Sequence, residues 1–111
     1  MPCMNKPDFQ AAIAALTAKF AASLPEKRQA LESAFSLWIA ERDQNALKDV
    51  IGVAHKLAGS GGSYGFDALG QAARDLETQV RSWPDLNPPD AAAALETERL
   101  FAVLLRQFPP A

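Results

Sequence analysis

The chain has one histidine and one cysteine in 111 residues. A zinc site needs about three or four side-chain ligands, chiefly His or Cys, so these two cannot build one. Cys3 has no second thiol with which to close an internal disulfide. No Gly-x-Ser-x-Gly elbow presents a nucleophilic serine, and neither a Walker A loop nor a dinucleotide fingerprint is present. No apolar run approaches the roughly 18 residues that span a bilayer. The opening Met-Pro-Cys-Met-Asn-Lys-Pro lacks the apolar stretch of a secretory signal. Eleven Lys and Arg stand against 13 Asp and Glu, a formal net charge of −2. That balance gives no broad attraction to nucleic acid or anionic lipid. A cytoplasmic, monomeric protein is the economical expectation, with no metal or cofactor of its own.

What is present is material for a helical core. Apolar residues make up 49% of the chain, enough for one domain over 8–108 behind a flexible tail over 1–7 that holds Cys3. Asp8 can cap a first helix with Phe9, Ile13, Leu16 and Phe20 at helical spacing. Ser23 and Pro25 open a second, with Leu31, Phe35, Trp38 and Ile39 facing the core. Asp43 or Asn45 starts a third, apolar on one side through Leu47, Val50, Ile51, Ala54, Leu57 and Ala58. Asp67 caps a fourth, with Leu69, Ala72, Ala73, Leu76, Val80 and Trp83. Three prolines make 84–89 a loop. Asp90 caps a last helix with Leu95, Phe101, Leu104, Leu105 and Phe108. The expected fold is all-α: an antiparallel four-helix bundle with an additional N-terminal helix packed across it.

The third helix departs from bundle rules. Glycine costs about 1 kcal/mol against alanine in a helix interior, yet Gly52 and Gly59 lie inside it and Gly61 and Gly62 near its end. Gly61 and Gly62 also suit the turn that follows. At about 100° per residue, His55 stands roughly 90–100° from the centre of the apolar stripe. Gly52, Ala58, Gly59 and Gly62 lie at i−3, i+3, i+4 and i+7, the neighbours a side chain meets. The only histidine therefore sits at a flank nearly bare of side chains. An exposed imidazole is largely neutral and nucleophilic near neutral pH. It can take a phosphoryl group as a phosphoramidate while a partner's active site closes over it.

Ala54-His55-Lys56-Leu57-Ala58-Gly59-Ser60-Gly61-Gly62-Ser63-Tyr64-Gly65-Phe66 closely resembles the active-site segment of histidine phosphotransfer (HPt) domains of bacterial phosphorelays. The matching features are the His, an apolar residue two on, Gly four on, and a Gly-aromatic pair at the helix end. Leu69 and the Leu76-Glu77 pair extend the match to about a fifth of the chain. The resemblance implies that His55 accepts phosphate from a receiver-domain aspartyl-phosphate and passes it to the aspartate of another receiver. It implies partners among receiver domains of response regulators and a hybrid histidine kinase. Mg²⁺ would belong to the receiver, and Gly59 would let the receiver approach.

Two positions depart from the family pattern. Many members carry Lys three after the His, where a cation steadies phosphoryl oxygens; here Ala58 stands there. Lys56 and Lys48 are the candidate replacements. Glu77 stands where some members have Gln bonded to the imidazole, and its carboxylate would fix the ring tautomer and favour the protonated ring. Arg74 and Asp75 read as a solvated face, Ser60 and Ser63 as helix-end groups, and Trp38 and Trp83 as packing. The competing reading is a non-catalytic helical adaptor that binds a receiver or kinase without carrying phosphate. A module cut from a longer kinase is a further possibility that the Met start and terminal prolines disfavour.

Overall fold

Asp43 starts a helix as its residue type demands: its carboxylate accepts from the backbone N–H groups of Asn45 and Ala46 at 2.8 and 3.2 Å. The computed structural model describes residues 6–110, with side chains from Phe9 onward. Cys3 and residues 1–5 of the expected tail lie outside the described residues. Four α-helices and no strand occur among those described: α1 (Lys6–Glu41), α2 (Gln44–Gly61), α3 (Asp67–Arg81) and α4 (Ala91–Gln107). Asp90 caps α4 through the N–H of Ala93 at 2.8 Å. Asp67 does not cap α3 but is its first residue; Phe66 precedes it with no side-chain cap bond. An acid in the first turn still opposes the positive end of the helix.

The N-terminal boundary expected at Ser23 and Pro25 is absent, and so is a separate helix laid across the bundle. Lys6 to Glu41 is one continuous α-helix with Pro25 inside it. Proline there removes the N–H that would meet the Ala21 carbonyl. The helix continues because Leu24 and Leu31 on either side are fully buried. Ser23 turns its hydroxyl back onto the Phe20 carbonyl at 2.6 Å and so opens no new helix. At 36 residues α1 is about 54 Å long, twice the length of its neighbours. Its first turns extend beyond the bundle, leaving Phe9, Ile13 and Leu16 58, 43 and 48% exposed. Their spacing is helical, but only Phe20 of that stripe reaches the core.

The core is built from the stripes of α2 and α3, on which α1 and α4 close. Every residue expected to face inward from α2 and α3 is buried. Ring pairs set the remaining spacings: Phe35 of α1 stacks on Phe101 of α4 at 3.9 Å, and Trp38 on Trp83 at 5.9 Å. Arg28 adds a bond from its guanidinium to the Leu105 carbonyl. Ile39 and Leu95, expected inside, are exposed. Each directly follows a buried residue, Trp38 or Ala94, and is turned about 100° away from it around the helix. The proline-rich segment is a loop apart from one 3-10 turn, Pro84–Leu86, with Asp85 and Leu86 at positive φ.

Gly61 decides how closely α2 and α3 approach. A methyl group on it would lie 2.9 Å from the Phe66 carbonyl oxygen and 3.0 Å from the Gly70 backbone. The chain then turns through Gly65 at φ 84°, and Phe66 donates its N–H to the Gly61 carbonyl at 2.7 Å. Tyr64 and Phe66 pack against Phe20 of α1 at 5.1 and 5.5 Å between ring centres. This turn holds the C-terminal half of α2 rigidly against α3, with the His55 flank facing out.

Candidate phosphotransfer site

His55 projects from the middle of α2 with 71% of its side chain exposed. Across the helix interface its Nδ1 lies 2.9 Å from Glu77 Oε2 on α3. Arg81, one turn on from Glu77, donates from Nε to the same oxygen at 2.7 Å. Glu77 is only 12% exposed. Burial acts to push its carboxyl up, but the hydrogen bonds and charges of Arg81 and His55 outweigh that and hold it below the usual carboxylate range. An ionised carboxylate only accepts, so Nδ1 carries the proton that meets it, and in the neutral ring the Nε2 lone pair is then the free one.

The depressed Glu77 pKa has a sign that can be checked. Its contribution to stability is present above the unfolded value of about 4.5 and is lost as pH falls through the lower folded value. Wild-type melting temperature should therefore fall more steeply below about pH 4.5 than that of Glu77→Gln. Superimposable acid profiles would mean that the three-residue cluster does not stabilise the fold.

The glycines around His55 separate into two kinds. Gly52 and Gly59 are exposed, and a methyl group on either would meet nothing within 4 Å. Gly62 is also exposed, with only the Asp67 carboxylate near, at 3.6 Å. These three leave open ground beside the ring. Gly61 instead serves packing, as described above.

Both candidate cations lie on the α1 flank of α2. Lys48 and Lys56 are exposed and line the groove against α1, together with Gly52 and Val53. Glu77 holds the imidazole on the opposite, α3 side. Arg81 escaped the sequence reading, whereas Arg74, read as part of a solvated face, is exposed as expected. Arg81 is four residues after Glu77, a spacing that pairs side chains on a helix, and that signal was available. Arg74 reaches across from α3 to the carbonyl of Ala58, which its solvated-face pattern gave no reason to expect.

Comparison with protein-family models decides the affiliation: the Hpt domain model matches residues 15–106. The chain belongs to the Hpt domain family. Neither the comparison with curated proteins nor that with solved structures gives a match. Hpt domains serve phosphotransfer in two-component signalling and interact there with receiver domains and kinases. The matched span begins within the projecting part of α1 and includes all of α2 and α3. Among the described residues, no helix is long and apolar enough to cross a membrane.

Proposed function

We propose that this Hpt protein is a phosphorelay intermediate, accepting a phosphoryl group on His55 from a receiver aspartyl-phosphate and passing it to a second receiver. The observation that carries the reading is the bond from His55 Nδ1 to Glu77, which leaves Nε2 as the nucleophile on an exposed ring. The Nε2 lone pair attacks phosphorus and forms the N–P bond. The P–O bond to the aspartyl carboxyl breaks, and the carboxylate leaves with its electron pair. The ring keeps its Nδ1 proton and becomes cationic, and the Glu77 carboxylate lies where that charge develops. The return step reverses these bonds at the second receiver.

Gly52, Gly59 and Gly62 give the receiver room, while Lys48 and Lys56 offer positive charge along the α1 edge of the docking ground. Mg²⁺ belongs to the receiver's acidic pocket in this reading, and the chain acts as a cytoplasmic monomer. No phosphate-cradling loop is present to support autophosphorylation. Incubation with a phosphorylated receiver should transfer one acid-labile, base-stable phosphate to the chain, and incubation with ATP and Mg²⁺ alone should transfer none. A receiver that binds without giving up its phosphate would favour the adaptor instead.

A further inference from the structure

A phosphoryl group arriving at Nε2 brings negative charge to a flank where Glu77 is already anionic. The nearby cations are not equivalent. Arg81 is committed to Glu77 at 2.7 Å, and Lys48 and Lys56 line the groove against α1. Arg74 is on α3 three residues before Glu77, so it shares that face one turn away. Its Nη2 donates to the Ala58 carbonyl at 3.4 Å, and Ala58 is one turn after His55. The guanidinium thus already bridges from α3 to the α2 turn beside the histidine.

That contact is long and weak. No carboxylate pairs with Arg74 among the described residues. Ala58, Gly62 and Gly70 keep a shallow recess open beside it, with Gln71 and Asp67 completing the wall. Asp67 stands at the Gly62 end. Releasing a marginal bond to a neutral carbonyl in favour of a charged phosphoryl oxygen is a favourable exchange.

We propose that Arg74 is the phosphoryl-binding cation of this site, moving from the Ala58 carbonyl onto oxygens of the group on His55 Nε2. The proposal rests on the carrier reading above. Arg74 neither gives nor takes a proton; its guanidinium offsets charge on the phosphoryl oxygens as the N–P bond forms and the donor's bond to phosphorus breaks.

The test uses two donors, phosphoramidate as a small molecule and a phosphorylated receiver at saturating concentration, with wild type, Arg74→Gln and Arg74→Lys. Arg74→Gln should slow labelling of His55 by about tenfold or more from both donors. Its melting temperature and its half-saturating receiver concentration should stay at wild-type values, and Arg74→Lys should recover part of the rate. Wild-type rates in Arg74→Gln with both donors would overturn the assignment, as would a loss confined to receiver affinity. Label equal in wild type and Arg74→Gln removes Arg74 alone. Absence of label from wild-type His55 with either donor removes the carrier reading and this proposal together.

Discussion

Replacing Gly59 with Lys should stabilise the protein slightly and slow phosphotransfer sharply. Both parts follow from the open space at that position: a Cβ there meets nothing within 4 Å, and the residue is exposed inside α2. With no neighbour to strain, lysine contributes its better helix propensity, a gain of up to about 0.9 kcal/mol. The same side chain rises one turn from His55, where a receiver must descend to bring its aspartate to Nε2. Misplacing reacting groups by about an ångström costs on the order of a hundredfold in rate, so a loss of about tenfold to a hundredfold is expected. Gly61→Ala provides the contrast, because its methyl would press on the Gly70 backbone at 3.0 Å. Neither helix can yield there without moving the other, and overpacking of this kind costs about 1–3 kcal/mol. Gly61→Ala should therefore melt earlier yet transfer normally per folded molecule. Thermal melts with single-turnover transfer rates measure both variants. A destabilised Gly59→Lys with normal transfer would make Gly59 a packing residue and remove it from the docking ground.

Two glycines two positions apart thus stand in opposite surroundings; sequence offered Gly61 to the turn but could not show how closely it meets α3. Both break helix propensity equally, and the difference lies in what stands across the interface. The stripes of α2 and α3 were legible because both faces meet other helices, so periodicity and burial coincide from Leu47 to Val80. Periodicity misled in the first turns of α1. Phe9, Ile13 and Leu16 have helical spacing, but the other helices are too short to cover them. Pro25 misled for a related reason. A proline signals a helix start only where tertiary packing does not hold the flanking turns together, and Leu24 and Leu31 hold them here.

The site was legible to a similar depth. Glu77 and His55 are 22 residues apart, and only the family pattern suggested that they meet. The structure joins them at 2.9 Å. The Arg81 pairing was available from helical spacing alone, yet it escaped the sequence reading. Arg74 required knowledge of how closely α2 and α3 approach, which depends on Gly61 and Gly70. Lys56 was a candidate because it adjoins His55 in sequence, and Lys48 because its angle around the helix puts it two turns back on nearly the same face. That angle does not reveal that α1 lies on their side and α3 on the other.

The most direct measurement is site mapping of the phosphate after incubation with a phosphorylated receiver, on wild type and on His55→Gln. The ring is exposed, so glutamine should leave helicity and melting temperature nearly unchanged. Nuclear magnetic resonance of the wild-type product should show a single phosphohistidine with phosphorus on Nε2, since Nδ1 is occupied by Glu77. The folded His55→Gln variant should take no phosphate at all. Phosphate persisting on His55→Gln would contradict the account.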